Sequence, residues 1–202
     1  MNEKFFSLPE EKQQAILNAG YRVFSQNTYK NSPMSQIAEA AGISKSLLFH
    51  YFHNKKELYL YLWQKCADTT EEYLNHYHCY EQTDFFQTLF LGIKAKAAIT
   101  RKYHYMATFA LRSFYEKDEN IAPALLEHYK EYLDLNTSPV FQNLNPEQFL
   151  PELDIQMMVR EMYLASEGYL WEMFQKEKVD AAQMEEDFTK LIRFWKSLYQ
   201  RS

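Results

Sequence analysis

Glycine and proline are scarce in this chain, with 4 and 6 copies among 202 residues. Both residues mark tight turns and interrupt helices, so their scarcity disfavours turn-rich β-sheet folds and low-complexity chains and favours an all-α protein. No apolar run approaches the roughly 20 residues that a membrane-spanning helix needs, and no N-terminal signal peptide is visible. We therefore expect no membrane partner.

Cysteine is also rare, with Cys66 and Cys79 as the two copies. Both fall within one predicted helix, too far apart along it for a disulfide bond. Free thiols without an export signal predict a cytoplasmic protein. His76 and Cys79 share a helix face, but His78 points elsewhere, and two soft ligands do not make a zinc site.

Enzyme motifs are missing as well. The sequence has no glycine-rich phosphate loop, no nucleophile elbow and no cluster with metal-ligand spacing. We therefore predict that the protein is not an enzyme, has no catalytic residues, needs no cofactor and binds no metal.

The net charge of −5 is unevenly distributed along the chain. Residues 1–56 carry seven Lys or Arg and four Asp or Glu, which gives +3, so the remainder carries −8. A positively charged N-terminal part and a negatively charged remainder suit a protein that binds DNA through its N-terminal part, because attraction to phosphate is screened beyond about 10 Å.

The most informative segment is residues 32–58, which predicts two short helices joined by a tight turn and the start of a third helix. Gly42 ends the first helix, since glycine adopts the left-handed cap conformation at little cost. Ser44 is a good N-cap for the second helix, and Leu48 and Phe52 would face inward. This is the helix-turn-helix pattern, whose second helix can enter a DNA major groove. The outward residues are then Lys45, Ser46, Leu47, Phe49, His50 and Tyr51.

The first 58 or so residues contain a set of positions that fits a known family pattern in register, without a gap. These residues are Ile16, Leu17, Ala19, Phe24, Tyr29, Ser32, Ile37, Ala38, Ala41, Gly42, Ser44, Tyr51, Phe52, Lys55 and Leu58. In this set the segment resembles the N-terminal DNA-binding domain of the TetR family of transcriptional regulators. The resemblance implies a phosphate contact for the Ser32 hydroxyl and DNA-backbone contacts for Tyr51 and Lys55. The base-reading positions that it implies are Lys45, Ser46, Leu47 and His50.

Some positions depart from the family pattern. Thr28 replaces a glycine, so a positive φ there would carry strain. Pro33 replaces a threonine and offers neither a hydroxyl nor an N–H group to a phosphate. Phe49 keeps the ring of a usual tyrosine but loses its hydroxyl, and Leu47 replaces a frequent threonine. Apolar contact, such as with a thymine methyl group, remains open to both.

The expected fold is all-α with about nine helices, divided into a helix-turn-helix DNA-binding domain (1–56) and a ligand-binding and dimerisation domain (57–202). Ser7 and Glu10 predict a capping box at the start of a helix from about Leu8 to Ser25. A later helix is expected to begin near Ile121 and to end before Pro139.

The C-terminal part holds more aromatic residues than a small helical core needs. Some could line a cavity for an apolar or aromatic small molecule, as the family resemblance favours, while the plainer interpretation is core packing. The candidate pocket residues are Cys66, Thr69, Tyr73, Phe90, Tyr103, His104, Thr108, Tyr163, Ser166 and Glu167.

The last two predicted helices carry wide apolar stripes, typical of helices that pair across a two-fold axis. In the family resembled, such a four-helix bundle is the dimer interface, and a symmetric dimer matches a palindromic operator. An intramolecular core is the alternative. The candidate interface residues are Met158, Met162, Ala165, Tyr169, Phe188, Leu191, Ile192, Trp195 and Tyr199.

These features predict a homodimeric transcriptional regulator that binds a double-stranded DNA operator and is released from it, as a repressor, by a small-molecule effector. In the implied mechanism, ligand displaces a helix near residues 101–116 and so changes the separation of the two recognition helices. Two alternatives stay open: a helical interaction or scaffold protein without sequence-specific DNA binding, and a transcriptional activator of the same fold.

Overall fold

The computed structural model describes residues 3–133, 141, 144–176 and 179–201. The predicted all-α class is confirmed, and short 3-10 helices at Cys79–Glu81 and Pro146–Gln148 accompany the α-helices. The predicted end of a helix before Pro139 lies outside the described residues. The α-helices are α1 (Glu3–Phe6), α2 (Glu10–Gln26), α3 (Met34–Ala40), α4 (Lys45–Tyr51), α5 (Lys55–His76), α6 (Phe85–Lys102), α7 (His104–Phe114), α8 (Ala122–Leu133), α9 (Ile155–Gln175) and α10 (Ala181–Tyr199).

The chain forms two compact units. Unit 1 comprises Met1–Asp68 and Tyr103–His128, and unit 2 comprises Thr69–Lys102 and Tyr129–Ser202. Unit 1 thus contains the predicted helix-turn-helix together with α7, which packs along α2. The predicted functional boundary after residue 56 stays a prediction.

An aromatic cluster holds the start of the chain against the helix-turn-helix in unit 1. Phe5 is fully buried, and its ring lies 5.0 Å from the ring of Phe52 and about 6 Å from the rings of Tyr51 and Tyr61. Burying a phenylalanine side chain of this kind is worth about 2–3 kcal/mol. The short helix α1, which the sequence did not predict, is therefore an integral part of the unit 1 core.

The predicted capping box at Ser7 and Glu10 is wrong. The Ser7 hydroxyl donates instead to the Lys4 carbonyl at 2.9 Å, which closes the end of α1. Pro9 occupies the N-cap position of α2, and its carbonyl accepts from the N–H groups of Lys12 and Gln13. The physical reason is that α1 draws Ser7 into its own C-terminal turn, and α2 begins only after the proline.

The turn between α3 and α4 is a Schellman motif centred on Gly42. The Ile43 N–H donates to the Ala38 carbonyl and the Gly42 N–H donates to the Glu39 carbonyl, each at 3.0 Å. Gly42 has a φ of +68°, the left-handed conformation that this motif requires at its glycine. The predicted role of Gly42 as the stop of the first helix is confirmed.

In unit 2, α6 packs along α10, and an ion pair joins the start of one helix to the end of the other. Lys196 Nζ lies 2.7 Å from an Asp84 carboxylate oxygen, and Asp84 also accepts the N–H groups of Phe86 and Gln87 at the start of α6. Burial alone would raise the pKa of Asp84, but these hydrogen bonds and the charge of Lys196 hold it below its ordinary value.

The apolar stripes of α9 and α10 lie partly inside unit 2. Met158 and Ile192 are 2% exposed, Trp195 is 3% exposed and Met162 is 7% exposed within the single chain. The prediction that these four side chains form a dimer interface is wrong, because they are already covered by their own chain. The alternative of an intramolecular core is correct for them.

Among the described residues, every helix is too short or too polar to span a lipid bilayer.

Gly42→Ala should lower the free energy of unfolding by about 1–2 kcal/mol, because the left-handed conformation crowds a Cβ atom against the backbone. The space around the glycine is open, so no new contact offsets that strain. Gly42→Asn is the matched control and should cost less, since asparagine tolerates this conformation. Urea unfolding followed by circular dichroism measures both; equal stability of the alanine and glycine proteins would contradict the prediction.

Candidate nucleic-acid interface

One face of α4 is anchored and the other is open. Leu48 is fully buried, whereas Leu47 and Phe49 are 36% and 37% exposed. Lys45, Ser46 and His50 are also exposed, as the sequence predicted. The open face therefore combines a cation, a hydroxyl and an imidazole with two apolar side chains, which is a set that could meet both phosphates and base edges.

The first turn of α4 is fixed by Ser44. Its hydroxyl oxygen accepts the Leu47 N–H at 3.1 Å, so its predicted role as the N-cap is confirmed. The hydroxyl groups of Ser44 and Ser46 lie 3.0 Å apart. Further along the same face, the Lys45 ammonium group lies 5.8 Å from the centre of the Phe49 ring.

Two predicted DNA contacts have less exposed side chains than the sequence suggested. Tyr51 is 7% exposed because its ring packs edge-on against Phe5, so its predicted outward orientation is wrong. Ser32 is fully buried, and its hydroxyl donates to the Thr28 carbonyl at 2.9 Å. Their contacts with DNA stay predictions, and any such contact by Ser32 would compete with this internal hydrogen bond.

Lys55 is also engaged within unit 1. Its ammonium group donates to the Tyr29 carbonyl at 2.7 Å and to the Lys30 carbonyl at 3.3 Å. It lies 4.4 Å from the centre of the Tyr29 ring. Burial lowers the pKa of Lys55, and the carboxylates of Asp118 and Glu116 partly offset that effect. Lys55 thus holds the loop between α2 and α3. Its predicted contact with the DNA backbone stays a prediction.

The departures from the family pattern are accommodated without strain. Thr28 has no positive φ, since His78 alone has one among the described non-glycine residues. Pro33 is the N-cap residue of α3 with a φ of −74°, an ordinary proline value, and its carbonyl accepts the Gln36 N–H at 3.0 Å.

The ten predicted pocket residues are divided between the two units, and the set stays a prediction. The Thr108 hydroxyl donates to the His104 carbonyl, and the Ser166 hydroxyl donates to the Met162 carbonyl, so both serve their own helices. Those in unit 1 are Cys66, Tyr103, His104 and Thr108, and those in unit 2 are Thr69, Tyr73, Phe90, Tyr163, Ser166 and Glu167.

Cys66 is a buried, neutral thiol. Burial raises its pKa to about 12, against a smaller opposing effect of its hydrogen bond with Tyr21. At neutral pH it therefore acts as a small apolar group with little thiolate character. Cys79 is 1% exposed, and the neighbouring His78 lies 2.8 Å from a Glu81 carboxylate oxygen. Within the described ranges, no three His, Cys, Asp or Glu side chains are placed to hold a metal ion.

An exposed apolar face on α9 and α10 was missed by the sequence analysis. Met157, Leu164 and Trp171 recur every seven residues on α9 and are 63%, 50% and 46% exposed. Phe194 and Leu198 on α10 are 56% and 45% exposed. The spacing of seven could have identified the α9 row, but nothing in the sequence says which of two adjacent apolar rows faces inward. These five residues form what we call the exposed apolar face.

Three of the remaining predicted interface residues, Tyr169, Phe188 and Tyr199, connect α9 and α10 within the chain. The Tyr169 ring lies 4.9 Å from the Phe188 ring, and its hydroxyl donates to Asp187 at 3.1 Å. Burial, then the hydrogen bond to Asp187, raises the pKa of Tyr169. The Tyr199 hydroxyl donates to Glu161 at 3.4 Å. A later residue of α10 thus meets an earlier residue of α9 than in the Tyr169–Asp187 contact, so the two helices run antiparallel. Ala165, Tyr169, Phe188, Leu191 and Tyr199 are each partly exposed.

Comparison with known proteins identifies the helix-turn-helix segment. A sequence profile of bacterial regulatory proteins of the tetR family matches residues 16–62. The HTH-type transcriptional regulator RutR of Escherichia coli (strain K12) is 40% identical over 57 residues, which are 28% of this chain and 27% of that protein. The crystal structure of a TetR family transcriptional regulator from Chloroflexus aurantiacus J-10-FL covers 100% of this chain and 99% of its own with a TM-score of 0.70 and 21% identity. Residues 16–62 therefore resemble tetR-family regulators in sequence, and the chain resembles them in fold.

The similarity in sequence and the similarity in structure cover different shares of the chain. The alignment with RutR spans about a quarter of the length of each protein. The fatty acid degradation regulator FadR from Bacillus halodurans superposes with a TM-score of 0.69 over 89% of this chain and 96% of its own, at 19% identity. The similarity of fold thus covers 89–100% of the chain, whereas the tetR-family sequence profile matches residues 16–62.

Ser44→Ala should lower the free energy of unfolding by about 1 kcal/mol, because the Leu47 N–H at the start of α4 loses its acceptor. Hydrogen exchange at the Leu47 amide should accelerate as the first turn frays. Ser46→Ala is the matched control: it removes an exposed hydroxyl from the same turn and leaves the cap in place. An equal loss of stability in both variants would contradict this role for Ser44.

Proposed function

We propose that this protein is a sequence-specific, DNA-binding transcriptional regulator of the cytoplasm. The observation that carries the proposal is the state of α4, which is held by Leu48 and Ser44 and presents Lys45, Leu47 and His50 to solvent. A helix with one anchored face and one mixed polar and apolar face suits the major groove, where each base pair shows a distinct pattern of donors, acceptors and methyl groups.

Each exposed residue of α4 has a chemically distinct task in this proposal. Lys45 provides positive charge for a phosphate or for a guanine edge, and His50 provides a ring nitrogen for a base edge or phosphate. Leu47 and Phe49 offer apolar contact to thymine methyl groups. Ser46 can donate to either a base or a phosphate through its hydroxyl.

We further propose a homodimer that forms through the exposed apolar face. Five large apolar side chains on two antiparallel helices are unusual on a protein surface that meets only water. A second copy would cover them by an isologous contact, in which the same surface patch is used on both subunits. Such a dimer presents two recognition helices with two-fold symmetry, which a palindromic operator requires.

The effector in this proposal is a small apolar or aromatic molecule that lowers operator affinity. The effector must bind one conformation of the dimer more tightly than the other, because a ligand that binds both conformations equally does not change their populations. A ligand that moves α7 would act on the DNA-binding region within unit 1, since α7 packs along α2 and the Phe109 ring lies 4.9 Å from the Tyr59 ring. Equal recognition-helix separation in ligand-bound and free dimers would contradict this mechanism.

The direct test is fluorescence anisotropy of the purified protein on DNA from upstream of its own gene, with scrambled DNA of equal length as the control. A salt series separates the phosphate contribution from base readout. Tight and sequence-selective binding supports a regulator, whereas weak and equal binding to both DNAs favours a scaffold. Transcription in vitro from the bound promoter then distinguishes repression from activation.

Lys45→Ala and His50→Ala should each weaken operator binding by roughly 1–3 kcal/mol if they contact bases, with the fold intact by circular dichroism. A phosphate contact by Lys45 would instead weaken binding to all sequences and reduce the salt slope by about one. Lys94→Ala, which removes an exposed lysine from unit 2, is the matched control. Unchanged operator affinity in both α4 variants would contradict the proposed recognition face.

Leu164→Glu and Phe194→Glu should each convert the dimer to a monomer, because a buried carboxylate at the centre of the interface would lack a partner. Sedimentation equilibrium measures the mass in solution. Leu126→Glu is the control, since Leu126 is 54% exposed on α8 in unit 1. Persistence of the dimer in both interface variants would show that another surface pairs the subunits.

A further inference from the structure

The backbone of Tyr29, in the loop between α2 and α3, is held from two sides by groups distant in sequence. Its N–H donates to a Glu116 carboxylate oxygen at 2.8 Å, and its carbonyl accepts from Lys55 Nζ at 2.7 Å. Glu116 follows α7, and Lys55 begins α5. Three separate segments of unit 1 therefore meet at a single residue of a loop.

The Tyr29 side chain is fixed as firmly as its backbone. It is 7% exposed, and its ring lies 5.4 Å from the Tyr59 ring in an edge-on contact and 6.4 Å from the Phe24 ring in a stacked one. Lys55 covers another side of the same ring. This loop is thus an ordered part of the unit 1 core rather than a loose connection.

The Glu116 carboxylate is itself oriented by its own loop. Its other oxygen accepts the N–H groups of Lys117 at 2.9 Å and Asp118 at 3.0 Å. One carboxylate thus closes the turn after α7 with one oxygen and binds the α2–α3 loop with the other. Charge–dipole bonds of this type are stronger than neutral hydrogen bonds.

The C-terminal end of α7, just before Glu116, is held by hydrogen bonds within unit 1. The hydroxyl groups of Ser113 and Tyr59 lie 2.9 Å apart, both residues are buried, and Ser113 also donates to the Phe109 carbonyl. A shift of α7 along its axis would therefore displace the Glu116 carboxylate from the Tyr29 N–H.

Oppositely charged side chains lie near the contact between Tyr29, Glu116 and Lys55. Hydrogen bonds from Asn120 lower the pKa of Asp118, and the charges of Lys55 and Lys30 lower it further. Two carboxylates after α7 thus face two lysines of the DNA-binding region. The loop that they hold leads directly to Pro33, the N-cap of α3, which in turn is joined to α4 by the Gly42 turn.

We propose that Glu116 is a positioning residue for operator binding: its contact with the Tyr29 N–H fixes the α2–α3 loop and through it the placement of the recognition helix. The inference rests on the proposed function, since it assigns Glu116 a role in DNA recognition without touching DNA. Loss of the contact leaves the phosphate-binding charges in place and misplaces the base-reading side chains. Selectivity should therefore suffer more than attraction to DNA in general.

The test compares Glu116→Asp and Glu116→Ala with the unchanged protein, using anisotropy on operator and scrambled DNA. Aspartate keeps the charge and can still accept N–H groups of its own turn, but it is one methylene too short to reach Tyr29. Glu119→Ala is the matched control because Glu119 is an exposed carboxylate three residues further along. Amide hydrogen exchange at Tyr29 and thermal unfolding report the contact and the fold without DNA.

We expect both Glu116 variants to bind the operator about tenfold more weakly and scrambled DNA almost unchanged, with the same salt slope and faster exchange at the Tyr29 amide. Glu119→Ala should match the unchanged protein in every assay. Operator affinity in Glu116→Asp equal to that of the unchanged protein, despite faster Tyr29 exchange, would overturn the inference alone. Absence of selective binding by the unchanged protein would overturn the proposed function, and the inference with it.

Discussion

The recognition helix depends on one constraint, which is that α4 has only seven residues and cannot persist without tertiary packing. Leu48 and Phe52 supply that packing, since both are fully buried among the helices of unit 1. Phe5 completes the site from the start of the chain. Because the inward face of α4 is firmly packed, the helix tolerates the exposure of two apolar side chains, Leu47 and Phe49, on its other face. Exposure of apolar side chains to water is unfavourable, and a surface that contacts a partner explains why they are there.

The parts of this region that sequence predicts are those governed by local chemistry. Gly42 adopts a conformation that few other residues tolerate, and Ser44 provides a cap oxygen three residues before an N–H that needs one. Leu48 follows from helical periodicity. Each inference uses residues within a few positions of one another, so the turn and the start of α4 are correct to the residue.

The parts that sequence does not predict depend on contacts between distant segments. Tyr51 lies three residues after Leu48, at the border of the inward face of α4, and α1 brings Phe5 against its ring and covers it. On α9, the rows containing Met158 and Met157 are adjacent and equally apolar, and only the packing of unit 2 decides that the first is buried and the second exposed. Periodicity identifies an amphipathic helix, but two neighbouring apolar rows leave its rotation undetermined.

The same distinction applies to charge. Counting lysines in residues 1–56 treats each as available to phosphate, but Lys55 is directed into the protein, where it holds two carbonyl groups beside acidic residues. The attraction of this region for DNA must then come mainly from lysines that remain exposed, such as Lys45 and Lys30. Lys55 instead stabilises the loop that leads to α3, opposite the Glu116 carboxylate. A residue that the family pattern places at the DNA backbone therefore also has a structural task in unit 1, because it ties the start of α5 to the loop that precedes α3.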